Sequence, residues 1–382
     1  MITKYVVWLL LILISITGCK TVPREYSYKS GEPEWSIRNS EWEGFGVAPV
    51  NPSTTRRYIN YSYLEDKPRV LVIIADTYGN PDEMDQEWLN KVNWFFDDNR
   101  LTFVQPDNSP NRSQHWHGFG CYSRMWPLLY GIPNIDFVLF RMIDVPQGEY
   151  ALLDFIKENL ETYNGRVVVS NSWGSPRQNN SFDGIIRSIW MPWANEIDRL
   201  SEEYPAFTVV FSAGNSAPDW SGFPQSITTN AVIVGASERS GSIADFSCRD
   251  LNMFGVAGGH KVFVANPDAA GRYMIASGTS FSSPTVAAMI TRLMAKNPEW
   301  DRHTTINYLK NYIVQSPDED SDFNVVWGYG EIEQYNQLVP ENIWRELHFP
   351  RGFIARTRGM FTPSRVIDLP EPLLPINEPM TK

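Results

Sequence analysis

Three short stretches of this sequence carry side chains whose types could combine into a reaction. Residues 277–290 read "SGTSFSSPTVAAMI", placing Ser280 at the head of an apolar, helix-like run with Pro284 four positions on. A serine there lies near unpaired N–H groups and the positive end of a helix dipole, features that stabilise an oxyanion. Serine is also an ordinary helix N-cap, so this pattern alone leaves both readings open. A nucleophilic serine needs a base and a group that orients the base. The chain has 5 histidines, and His117 lies in "HWHGFGC", where glycines permit close approach to other backbone. His115, two residues earlier, would face differently on a helix. Asp76 ends the apolar stretch "RVLVIIAD". A buried carboxylate there needs a partner, and an imidazole would serve.

These residues need elements to hold them. "RVLVIIAD", "RVVVSNSWG", "FTVVFSAGN" and "AVIVGAS" are apolar, β-branched runs expected of strands covered on both faces. "EYALLDFIKENLETY" has helical spacing and stops at Asn164-Gly165, and further helical patterns fall at about residues 185–200 and 283–296. Strands alternating with helices predict an α/β fold, a mainly parallel sheet with helices on both faces in three layers. Ligands of such sheets bind beyond the carboxyl ends of the strands. Asp76, Asn171–Ser172 and Asn215 end these strands and are the first places to look for chemistry.

The motifs together resemble those of the subtilisin-like serine proteases, the subtilases (peptidase S8 family). "SGTSFSSPTVAA" is similar to the family's serine motif, "VLVIIADTYGN" to its aspartate motif and "HGFGC" to its histidine motif, in the family's order. The resemblance implies a subtilisin-like fold with Ser280 as nucleophile, His117 as general base and Asp76 as orienter. "VVFSAGN" resembles the oxyanion-hole strand, which implies that Asn215 donates beside the Ser280 amide. "NSWGS" resembles the strand that pairs with bound peptide, which implies substrate contacts at Ser172, Trp173 and Gly174, with Ala213, Gly214 and Gly222 completing the cleft. The likeness runs from about residue 68 to about 339, within a catalytic domain expected at 61–340.

Two positions depart from the family pattern. Tyr78 intervenes before Gly79, where the family has an aspartate, a small residue and a glycine in succession, and Gly120 replaces the second histidine of its histidine motif. Cys121, four residues after His117, falls where some members carry a thiol beneath the catalytic histidine, and it is expected to be free. The implied reaction is peptide-bond hydrolysis with no cofactor needed for catalysis. Structural calcium is common in the family but finds no assignable place here. The alternating Asp318, Asp320 and Asp322 lack the glycine and glutamate of an EF-hand loop and read as a solvated acidic loop.

Two other function classes compete. A non-catalytic lipoprotein that keeps the fold to bind peptides or proteins would explain the altered aspartate and histidine surroundings. An α/β-hydrolase esterase would need G-x-S-x-G and a histidine after the acid. Ser280 instead sits in Gly278-Thr279-Ser280-Phe281-Ser282, and His303 lies in the polar, helix-like "DRHTTINYLKNY".

The rest of the 382-residue chain bounds the setting. Its 42% apolar residues allow a large core, and a net charge of −11 without basic clusters argues against nucleic acid. "MITKYVVWLLLILISITGCK" has an apolar run too short to span a bilayer and reads as an export signal over 1–18. Its "ITGC" ending resembles a bacterial lipobox, implying lipidation of Cys19 and anchoring in the cell envelope. Lys20 favours the outer membrane. Residues 19–60 are expected to form a tether, and 341–382 a proline-rich C-terminal extension. The protein is expected to act as a monomer on protein or peptide substrates.

Overall fold

A computed structural model describes residues 62–78, 101–104, 116–129, 132–142, 147–177, 182–238, 242–266, 273–312, 314–315 and 323–332. The signal segment, Cys19, the tether, the acidic loop and the C-terminal extension lie outside the described residues. In chain order the elements are β1 (Val70–Asp76), β2 (Leu101–Val104), α1 (Trp116–Leu129), β3 (Ile135–Arg141), α2 (Gln147–Thr162) and β4 (Val167–Asn171). There follow α3 (Phe182–Glu203), β5 (Thr208–Ser212), β6 (Val232–Ser237), β7 (Met253–Gly258), β8 (Val262–Ala265) and β9 (Tyr273–Ala276). The last are α4 (Thr279–Lys296), α5 (Arg302–Tyr312), β10 (Val314–Gln315) and β11 (Glu331–Ile332).

All seven residues of β1 are buried, as a strand covered on both faces requires. Its side chains alternate between two cores. Val70, Val72 and Ile74 join one cluster with Met125 of α1 and Val286 of α4. Leu71, Ile73 and Ala75 join another with Leu152 of α2 and Ile197 of α3. Each such side chain withdrawn from water contributes about 1.5–3 kcal/mol, so the two faces hold the sheet between its helix layers.

The main sheet runs β10-β11-β7-β6-β5-β4-β1-β3-β2. Its pairings are parallel except for β10 with β11. The three-layer α/β architecture expected from the sequence is the observed one. Register brings Asp76 opposite Arg141 and Ala75 opposite Asn171, so β1, β3 and β4 end together at one edge. β8 and β9 form a separate antiparallel hairpin.

Two helices differ from their sequence patterns. α4 begins at Thr279 rather than near 283, because the hydroxyl residues of "TSFSS" conceal a first turn in which Phe281 is fully buried. α3 is longer than its apolar core, and Pro192 lies inside it. α2 ends as expected. Asn164 and Gly165 take φ of 50° and 77°, and the Gly165 amide donates to the Leu160 carbonyl at 2.6 Å.

Candidate active site

Asp76 is the last residue of β1, and His117 is the second residue of α1. Asp76 Oδ1 lies 2.8 Å from His117 Nδ1 and accepts the Thr77 amide at 2.7 Å. The Gly118 amide donates to the Thr77 carbonyl at 3.2 Å, tying the start of α1 to the end of β1. Both side chains are buried. Burial is the largest influence on the imidazole and acts to lower its pKa. The Asp76 charge, the neighbouring thiol and the Asp76 hydrogen bond outweigh it and hold His117 well above the usual histidine value. With Nδ1 turned to Asp76, Nε2 is the nitrogen on the opposite side of the ring. Asp76 Oδ2 is buried without a hydrogen-bond partner.

Ser280 is the second residue of α4, following the N-cap Gly278 and Thr279. The hydroxyl therefore does not cap the helix. It makes one long contact, 3.5 Å, with the Ser172 carbonyl. The Ser280 carbonyl would ordinarily accept the amide four residues on, but Pro284 has no N–H. Two side chains supply donors instead: the Ser172 hydroxyl at 2.9 Å and the Cys121 thiol at 3.2 Å. Cys121 Sγ also lies 3.9 Å from His117 Nδ1, so this thiol touches both the imidazole and the first turn of α4. Burial pushes it up to about 12, which keeps it protonated and able to donate.

Asn215 lies three residues beyond β5. Its Oδ1 accepts from the Thr279 amide and from the Thr279 hydroxyl, both at 2.9 Å. An amide can only donate, so oxygen faces Thr279 and Nδ2 faces away as a free donor. The Thr279 hydroxyl in turn accepts the Gly214 amide at 3.0 Å. The Ser280 amide belongs to the first helical turn, whose N–H groups have no partner within the helix.

The profile of the subtilase family (Peptidase_S8) matches residues 96–330. The chain belongs to the subtilase family. The match begins after Asp76, so the residue facing His117 lies upstream of it. Among curated relatives, the subtilase is 28% identical over 148 residues to M-protease of Shouchella clausii (strain KSM-K16), covering 39% of this chain and 35% of the relative. Subtilisin BL of Lederbergia lenta is 28% identical over 148 residues, covering 39% of this chain and 49% of the relative. The alignments thus span about a third to a half of these relatives. A solved lanthipeptide protease superposes with a TM-score of 0.53 at 17% identity, covering 81% of this chain and 99% of that one, which shows the shared fold.

The subtilase accommodates both of its departures from the family motifs through glycine. Tyr78 is buried with its ring against Gly118, where a Cβ would lie 2.4 Å from Tyr78 Cε1. At Gly120, an added Cβ would lie 3.1 Å from Phe281 Cε1. Both rings thus fill space beside the first turn of α1.

The residues expected along the cleft are placed unequally. Ser172 turns its hydroxyl to the Ser280 carbonyl, so its side chain supports α4. Trp173 is half-buried, with ring centroids 5.8 Å from both Trp190 and Trp193. Gly174 is half-buried, and a Cβ there would meet Gln225 Oε1 at 2.6 Å. Gly214 needs glycine because its φ is +105°; its N–H and C=O are both used within the protein. Ala213 is fully buried beside the segment carrying Cys248, and Gly222 is buried with its absent Cβ 1.8 Å from the Ser175 carbonyl.

Thr279, which sets the orientation of Asn215, is a residue the sequence reading overlooked. Its signal was its place directly before Ser280. Asp76, His117 and Cys121 form a group of potential metal ligands within 4.8 Å of one another. Within that group Asp76 Oδ1 is hydrogen-bonded to His117 Nδ1. Both Cys121 and Cys248 are free and buried.

Proposed function

We propose that the chain is a serine endopeptidase that hydrolyses peptide bonds through Ser280, His117 and Asp76, with Asn215 and the Ser280 amide receiving the oxyanion. The observation that carries this reading is the buried Asp76–His117 pair at 2.8 Å, tied through Cys121 to the turn that bears Ser280. Family membership supports the reaction class.

In this mechanism the Ser280 hydroxyl attacks a peptide carbonyl while His117 Nε2 takes its proton. Asp76 keeps the proton on Nδ1 and stabilises the imidazolium that forms. The free Nδ2 of Asn215 and the Ser280 amide donate to the carbonyl oxygen as negative charge develops there. The imidazolium then protonates the leaving amine, and water repeats the cycle on the acyl-enzyme. These steps use side chains, one backbone amide and water. A structural calcium ion is compatible with the reading but has no assigned site.

The cell-envelope setting is part of the proposal. Removal of residues 1–18 and lipidation of Cys19 would anchor a monomer to a membrane, with residues 20–60 as tether. A Cys19→Ser variant should lose fatty-acid incorporation and leave the membrane fraction, while retention there would contradict the anchor. For the chemistry, the native chain should release peptides from an unfolded protein and Ser280→Ala should not. Binding without cleavage by the native chain would favour the non-catalytic peptide-binding reading.

A further inference from the structure

A hydrogen bond at one ring nitrogen fixes an edge of an imidazole more firmly than the plane of its ring. His117 is held at Nδ1 by Asp76, yet its Nε2 must stay aligned with Ser280. A reacting group displaced by about 1 Å loses on the order of 10²-fold in rate, so something must fix the ring plane. Phe281 is in a position to do so. It is fully buried, and its ring centroid lies 5.4 Å from that of His117, with 50° between the planes. It stacks on Trp116 at 6.2 Å and 21°, and Trp116 meets His117 edge-on at 5.6 Å. The Phe281 backbone is fixed too, because buried Arg124 of α1 donates from Nε to its carbonyl at 3.3 Å.

Gly120 makes this packing possible. A Cβ at that position would stand 3.1 Å from Phe281 Cε1 and 3.5 Å from Val264, closer to the ring than side chains ordinarily sit. The absence of the family's second histidine is therefore matched by a large ring directly after the nucleophile.

We propose that Phe281 is a positioning residue for His117: its ring, admitted by Gly120 and backed by Trp116, holds the imidazole plane while Asp76 holds its Nδ1 edge. The catalytic consequence rests on the peptidase reading; the positioning itself does not.

The test compares Phe281→Leu with Leu293→Ala, a buried change further along α4, after thermal melts show that both are folded. Phe281→Met conserves volume and replaces Phe281→Leu if that variant does not fold. The first readout is the downfield Nδ1–H signal of His117, assigned by its loss in His117→Ala. In Phe281→Leu this proton should exchange with solvent faster, and in Leu293→Ala it should match the native protein. The second readout is turnover of a peptide: kcat should fall about tenfold or more in Phe281→Leu with KM unchanged, and Leu293→Ala should keep both.

A native-like proton signal and kcat in Phe281→Leu would overturn the proposal. An equal fall in kcat in Leu293→Ala would also overturn it, by showing a general packing effect. If the native protein turned over no peptide while the proton signal still responded to Phe281→Leu, positioning would stand and the peptidase reading would fail.

Discussion

Thr279 grips Asn215 by two hydrogen bonds, from its amide and its hydroxyl to the same Oδ1, each 2.9 Å long. The residue before Ser280 thus orients the side chain that would meet the oxyanion. Asn215→Ala should lower kcat by about 10²–10³-fold with little change in KM. Thr279→Val removes one of the two bonds and should cause a smaller fall in kcat. Steady-state kinetics on one peptide would compare them, and an unchanged kcat in Asn215→Ala would remove Asn215 from the mechanism.

The pH dependence follows from the direction of the His117 shift. A general base must be neutral, and Asp76 holds this imidazole above the ordinary value of about 6.5. The acid limb of kcat/KM should therefore have its midpoint above that value. In Asp76→Asn the raising charge is gone and burial remains, so the midpoint should move below it, alongside a large loss in rate. A pH profile of each form checks both directions.

Two glycines make opposite predictions. Gly118 faces Tyr78 Cε1 at 2.4 Å and the Thr77 carbonyl at 2.8 Å, measured from an added Cβ. Gly118→Ala must push α1 from β1, and it should cost about 1–3 kcal/mol and reduce activity at least tenfold. Gly184, in the first turn of α3, has nothing within 4 Å of such an atom. Gly184→Ala should stabilise the protein by about 0.5–1 kcal/mol and leave activity unchanged. Thermal melts and peptide turnover separate the two.

Away from the active site, Glu149 is the clearest electrostatic cost in the fold. It lies in the first turn of α2, only 1% exposed, with both carboxyl oxygens lacking partners. Burial raises it from 4.5 to about 8. The native state therefore binds this proton more tightly than the unfolded chain, and stability falls as pH rises from about 4.5 to about 8. Glu149→Gln removes that cost. Its melting temperature should exceed the native value by a margin that widens between pH 5 and pH 8. A margin independent of pH would contradict the assignment.

The sheet was legible because continuous apolar runs such as "VLVIIAD" have few alternatives, and their polar ends named Asp76 directly. Ser280 and Asn215 could be singled out for the same reason: each stands at the end of a small-residue motif beside a strong element. The start of α4 was less legible, since hydroxyl residues fill its first turn and the buried Phe281 is a single apolar signal among them. The roles of Ser172 and Thr279, and the bond from Cys121 to the Ser280 carbonyl, were hidden for another reason. Each acts on a residue far from it or on a backbone group, and such contacts come from strand register and helix packing that no local pattern encodes. Gly118 and Gly120 were visible as glycines, but the rings that need their space lie 40 and 161 residues away at Tyr78 and Phe281.

A Ser280 hydroxyl activated by His117 would react with a fluorophosphonate probe. The probe would be applied to a soluble form beginning at Lys20, with Ser280→Ala and His117→Ala alongside and each shown to be folded by its thermal melt. The account predicts labelling of the native form that is lost in both variants. A folded native protein that takes no label, or a Ser280→Ala protein that still takes it, would contradict the account.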